Sequence, residues 1–356
     1  DREDWRYTKY DVFFSKTFVL NSASQIAISG LSDKDISSGV RAVKYSDQMS
    51  DVMTWFEDRE LTGFFYDKWT LLNTSLFNQG VFVEIPKDYK TEGTLTIAHN
   101  YTENDFEVPF TFIKLNKGSE LDLIEEYEGG VSSLNHVISN TIIELADDSK
   151  INHVFIQNLS RESRGLFYQN AVLGRGAEFQ THSVHLGSKT GRVIQNIDFR
   201  GPGGYLKNFG LLYGRDRQHL DIQTTQVHKA PHTGGETLYR HVLADRSKSI
   251  FKGKIIIEKD KTFCNATQKN ENLLLSPGAE AVSLPKLEIF NDEVQCSHGS
   301  TISSIDEDQL FYLTARGISM DNARRMIIEG FFDEIIKKAS TQDIAGFISK
   351  KIKESL

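Results

Sequence analysis

The chain has 356 residues, 39% hydrophobic and 25% charged, which is enough apolar material for a sizeable core and too much for a disordered chain. Its 41 basic and 49 acidic residues leave a net charge of −8, which argues against broad binding to nucleic acid or anionic membranes. No run approaches the ~18 apolar residues of a membrane span, and two cysteines, Cys264 and Cys296, make no disulfide framework, so a reducing, cytoplasmic setting is expected.

Three zones follow along the chain. Residues 1–75 mix aromatic and polar segments and read as an N-terminal helical and loop region. They open on a charged, aromatic stretch from Asp1 to Tyr10, with no apolar leader. Residues 76–303 hold most of the glycines and nearly all the short alternating runs. A recurring phrase marks this zone: a turn with Gly, Asp or Ser, then a small residue, a polar residue and a strand. Markers at residues 119, 149, 177, 204, 218, 248 and 279 are spaced by 30, 28, 27, 14, 30 and 31. The period is therefore near 28 to 30, with one half-period step.

Strand-like alternation such as Leu121 and Leu123, or Leu220 and Ile222, recurs without any helix-length amphipathic run. Such a repeat predicts a parallel β-solenoid, each coil stacked about 4.8 Å from the last. Six prolines in the chain suit long continuous ladders. The competing architecture for many short strands is a β-sandwich, which has no reason for a constant step.

Residues 304–356 read as three helices. Ser304-x-x-Glu307 suggests a capping box, Gly317 a stop, Ser319 a second cap, and Ser340-x-x-Asp343 a third start. The middle helix carries the stripe Ala323, Met326, Ile327 and Phe331, flanked by Arg324, Arg325 and Glu329. An apolar centre with a charged rim is the make-up of an interface. Helices that pack only on one another would show the same pattern.

Chemistry-bearing motifs are sparse. There is no Walker A sequence, no G-x-S-x-G and no H-E-x-x-H, so ATP hydrolysis by this chain is not expected. Histidines gather at His182, His185, His219, His228, His232 and His241, but Ala230-Pro231 between two of them breaks the helical ligand spacing. The acidic run Asp122, Glu125, Glu126 and Glu128 reads as a solvated face. Four sequons, at Asn73, Asn100, Asn158 and Asn265, are the number chance produces. The sharpest feature is Cys296-Ser-His298. On a strand, residues two apart share a face, so a thiolate and an imidazole would point at one soft or borderline metal such as iron. Two ligands leave such a site open, to be completed by a partner chain. A small buried cysteine beside a solvent-facing histidine fits the same spacing.

Asn291-Asp-Glu-Val-Gln-Cys-Ser-His-Gly-Ser-Thr301 and Asp306-Glu-Asp-Gln-Leu-Phe-Tyr-Leu-Thr-Ala-Arg-Gly-Ile318 closely resemble the SufD branch of the SufB/SufD family. Asn270-Glu-Asn-Leu-Leu-Leu-Ser276 and Pro285-Lys-Leu-Glu-Ile289 look like its last coils, Val227-His-Lys-Ala-Pro-His232 like its middle, and Glu3-Asp-Trp-Arg-Tyr-Thr8 like its N-terminal phrase. SufB-type chains carry a second glutamate where Gly299 stands, and Cys264 does not restore their cysteine phrase. The resemblance implies a right-handed parallel β-helix between an N-terminal region and C-terminal helices. It implies a non-catalytic scaffold of the SufBCD complex in iron–sulfur cluster assembly, contributing to iron acquisition beside a SufB-like paralogue, with a SufC-type ATPase hydrolysing ATP. Independently of the resemblance, the exposed ladder edges of a solenoid predict pairing near the last coils, around Leu287 to Cys296, with a SufB-like partner or, when the chain is alone, with a second copy in a homodimer. The resemblance further implies that iron or a cluster is held transiently at the SufB interface, with His298 ahead of Cys296 as ligand, and that Ala323, Arg324, Met326, Ile327 and Phe331 dock the ATPase. The rival readings are a secreted solenoid carbohydrate-active enzyme and a SufB/SufD hybrid scaffold.

Overall fold

The structure, a computed structural model, describes residues 5–8, 25–47, 68–77, 79–101, 106–130 and 134–356. The expectation of helix and loop over 9–24 and 48–67 lies outside them. The chain is mainly β, 53% strand, and forms a parallel β-solenoid of about eight coils followed by C-terminal helices. Each coil lays one strand in a front sheet and one in a back sheet. Coil one contributes Gln79–Ile85 and Lys90–Tyr101; coil eight contributes Glu280–Ile289 and Gln295–Ser304.

The pairing registers account for the repeat. Leu121 lies beside Ile151, Ile151 beside Phe179 and Phe179 beside Leu206 in the back sheet, while Leu220 lies beside Ser249 in the front sheet. Markers 119, 149, 177 and 204 stand at the entry to back-sheet strands; 218, 248 and 279 stand at the entry to front-sheet strands. The step of 14 is thus the change from one corner of the coil to the other.

The first corner explains its turn chemistry. Asp88, Gly118, Asp148, Gly176 and Gly203 stack there, all with positive φ between 56° and 77°, a region open to Gly and tolerated by Asp. Their amides bond to the next coil's corner: Asp88 N–H donates to Lys117 O at 2.8 Å, Gly118 to Asp147 O at 3.0 Å, Asp148 to Arg175 O at 2.7 Å and Gly176 to Pro202 O at 2.9 Å. The ladder therefore continues around the bend from Asp88 to Gly176, each of these four amides finding its acceptor on the next coil.

Inward-facing Val83, Leu95, Ile113, Leu123, Ile143, Ile151, Leu173 and Phe179 form the apolar core of the first coils. Strands of the middle coils are buried on both faces because both sheets are covered. On the front sheet lies helix α2 (Lys68–Leu76), after a short α1 (Asp33–Ser37); Asn73 donates to Pro109 O at 2.9 Å and Ile138 O at 2.7 Å. Asn73 is fully buried and so closed to glycosylation. Trp5 and Thr8 lie on the same sheet, with the Arg192 guanidinium 3.9 Å from the Trp5 ring centre and Thr8 donating to Asp221 at 2.6 Å.

The C-terminal helices are α3 (Glu307–Thr314), α4 (Met320–Ile336) and α5 (Gln342–Ser355). Their starts differ partly from the sequence reading. Asp306, not Ser304, caps α3, because Ser304 is still the last residue of a strand. Thr341, not Ser340, caps α5; Ser319 caps α4, and Gly317 turns the chain after α3 at φ +87°. The helices do not simply pack on one another. α4 and α5 lie along the outer face of the back sheet, where Ile328, Phe332, Ile335, Ile344, Ile348 and Ile352 join Val154, Val184, Phe209, Leu211 and Leu238 in one cluster. Each such side chain contributes about 1.5–3 kcal/mol on burial. Polar pins complete the seam: Arg240 donates to Phe331 O at 2.6 Å and Lys351 reaches Glu126 and Glu128 of the second coil.

The two ends differ. Strands Gln25–Ser29 and Arg41–Lys44 pair antiparallel with coil one and close it. Coil eight ends both sheets, and among the described residues no strand pairs with its outer edges.

Candidate functional site

Coil eight carries the Cys-Ser-His motif. Cys296 and His298 lie on one face of strand Gln295–Ser304, in register with Ala266 and Gln268 of coil seven. That face is the interior one: Cys296 packs with Ile255, Ile257, Cys264, Ala266 and Leu287. At the open end the interior becomes accessible, so Cys296 is half-buried and His298 exposed. Burial pushes the Cys296 thiol above its ordinary pKa, and the neighbouring Cys264 adds to the rise against a hydrogen bond from Ala266. Less thiolate is therefore available at neutral pH, whereas the imidazole is presented to solvent.

Cys264 is buried; its sulfur lies 3.2 Å from Thr233 Oγ1 and 3.6 Å from Ala230 O. Among the described residues no three His, Cys, Asp or Glu side chains converge to hold a metal ion. Cys296 and His298 are the two donor-bearing side chains that the motif places on this face.

The apolar surface near this end is substantial. Phe290 is 63% exposed, and Leu284 and Ile302 are also open. On α3, Phe311 is 74% exposed and Tyr312 is likewise open; the alternating sequence pattern did not single out these rings. Between α3, α4 and coils seven and eight runs a cleft of about 610 Å³, lined by Leu273, Ser304, Gln309, Leu313, Met326 and Phe331. The α4 stripe divides accordingly. Ala323 is fully buried, Ile327 and Phe331 are half-buried against the back sheet, and Met326 is 50% exposed at the cleft, with Arg324 and Arg325 exposed beside it.

The acidic run is not a single solvated face. Glu125 points inward and is fully buried, accepting hydrogen bonds from Tyr127 at 2.9 Å and Thr141 at 2.8 Å, with His153 Nε2 at 3.3 Å. Burial works to raise its pKa, but the hydrogen bond and charge of His153 hold it below the usual carboxylate range. Glu126 and Glu128 point outward to Lys351; burial and the adjoining Glu128 push Glu126 up to about 7. The clustered histidines are dispersed: His185, His228 and His241 face the interior, His182 lies under α4, and His232 stacks on Phe263 at a corner. No helix among the described residues is long and apolar enough to cross a membrane.

A family model described as SUF system FeS cluster assembly, SufBD core domain, matches residues 98–331. An iron-sulfur cluster assembly SufBD family protein of Mycobacterium leprae is 32% identical over 240 residues, covering 65% of this chain and 60% of that protein. A chloroplastic protein of Arabidopsis thaliana is 29% identical over 239 residues, covering 66% and 50%. A SufBD family protein of Synechocystis is 26% identical over 289 residues, covering 77% and 63%. The chain spans between one half and two thirds of the length of these relatives.

Proposed function

The chain belongs to the SufBD core-domain family of the SUF iron–sulfur cluster assembly system, and from that premise we propose that it is a SufD-type, non-catalytic scaffold subunit of a cytoplasmic SufBCD complex. Membership sets aside the carbohydrate-active reading. Gly299 after His298, and the lack of a SufB-like cysteine phrase around Cys264, support the SufD branch over SufB and over a hybrid.

The observation that carries the reading is the asymmetry of the solenoid. One end is closed by antiparallel strands, and at the other, among the described residues, two ladder edges and an apolar rim are left bare. Proteins cover or pair such edges, and a second solenoid of the same rise is the matching occupant. The SufB-like paralogue pairs there, around Leu287 to Cys296. A second copy of this chain takes its place, through the same patch, when the chain is alone. Iron, the cargo, is then met by His298 first and Cys296 second, with the remaining ligands from the paralogue. Residues 304–356 dock the SufC-type ATPase through Met326 at the cleft, the exposed Phe311 and Tyr312 on α3, and Arg324 at the rim. Ile327 and Phe331 hold that surface to the solenoid, and Ala323 is buried and closed to a partner.

The test is co-expression of this chain with a SufB-like and a SufC-like protein, followed by affinity capture. Recovery of all three is the expected result. Recovery of neither partner would sink the proposal.

A further inference from the structure

The interior of the later coils is polar. One column of inward-facing residues runs through the back sheet as Thr181, Asn208, Thr237, Gln268 and His298, each in register with the next. Opposite it, in the front sheet, run Gln169, Gln195 and Thr224. Bonds between the sheets show that the two columns face one another. Asn208 Nδ2 donates to Gln195 Oε1 at 3.0 Å, Tyr239 donates to the same oxygen at 2.8 Å, and Gln226 Nε2 donates to Thr237 at 2.6 Å.

These bonds do not satisfy the columns. Thr181 Oγ1, Thr224 Oγ1, Gln169 Nε2, Gln226 Oε1, His241 Nε2 and Gln268 Oε1 have no partner among the described residues, although every one of these residues is at least 95% buried. A buried polar atom left unpaired is expensive, and native interiors almost always pair it with protein or with ordered water. Six in one interior is far from that rule. Gln268 adjoins exposed His298 at the open end; Thr181, Gln169 and Thr224 lie deeper in the two columns, Gln226 joins them through its bond to Thr237, and His241 stands on a neighbouring register line of coil six.

We propose that the solenoid interior binds a file of water molecules, entering at the open coil beside His298 and bridging these orphaned groups into the middle coils. The ligand is water itself, held as buried waters are, by two to four polar partners each. The file gives the fold its polar core without leaving donors and acceptors unpaired, and it joins the motif on the last coil to a hydrated interior.

Two isosteric substitutions test this on the full chain. If Thr181 and Thr224 bond to internal water, Thr181→Val and Thr224→Val each lower the urea midpoint, because a water loses a partner. If the hydroxyls are unpaired, both variants raise the midpoint, and the proposal fails. Oxygen-17 relaxation dispersion on the same samples counts long-lived waters. Wild type should show several, and each Val variant fewer; equal counts would also overturn it. Neither readout depends on partner binding or cluster assembly, so the scaffold reading stands or falls separately.

Discussion

Acid should unfold this solenoid at a pH where most globular proteins are unaffected. Burial lowers the imidazole pKa from 6.5 to about 4 in His99, His182 and His228, and to about 3 in His185 and His241. All five are buried and stay neutral in the folded state, while the unfolded chain takes up protons as pH falls through 6.5. The stability they contribute is thus complete above 6.5 and declines below it. At pH 5.5 each has lost roughly 1–2 kcal/mol, or about 7 kcal/mol together. Glu126, pushed up to about 7, works in the opposite direction, because a raised carboxyl is protonated first in the folded state. It returns about 2 kcal/mol over the same interval. The net loss, about 5 kcal/mol, rivals the whole stability of an ordinary domain. Glu125, held low by His153, adds its loss only at more acidic pH. Urea midpoints at pH 7.5 and 5.5 measure the change, and His241→Asn should remove roughly 1–2 kcal/mol of it. A stability that differs by less than about 1 kcal/mol between those pH values would refute the reasoning.

Met326→Asp should weaken ATPase binding at least tenfold in calorimetry, with an unchanged circular dichroism spectrum, because Met326 is half-exposed. His298→Ala should leave the three-protein complex intact on gel filtration but slow cluster formation followed by absorbance, and Cys296→Ala should slow it less. Phe290→Glu with Ile302→Lys should turn the isolated chain from dimer to monomer in sedimentation. Ile348→Ala should cost about 2–4 kcal/mol in urea unfolding, because this α5 side chain is fully buried against the back sheet.

The solenoid was legible because its period is imposed by geometry. One strand per sheet and a tight corner require Gly or Asp at fixed offsets, as at Gly118, Asp148 and Gly176. The spacing revealed the half-step at 204 to 218 without saying which sheet either marker served. For Glu125 charge suggests solvent, and only pairing register reveals that it alternates inward between Ile124 and Glu126. The polar interior was hidden for the same reason: Gln, Asn and Thr in an alternating strand normally mark the wet face. Cap positions were displaced by one or two residues because strand pairing holds Ser304 in the ladder. The α4 stripe was shifted because the side facing the back sheet is Ile328, Phe332 and Ile335, one residue around the helix from Ile327 and Phe331.

The open coil also sets an order of events in time. In a stack of coils each repeat is stabilised by its neighbours, and among the described residues coil eight has a neighbouring strand on one side only. Its amides should exchange with solvent fastest of all the coils, and it should be the last to zip up as the chain folds. The Cys296–His298 motif therefore sits on the part of the molecule that is least finished when it stands alone. A partner that stacks on this coil supplies the missing neighbour, so recognition and the final step of folding become one event.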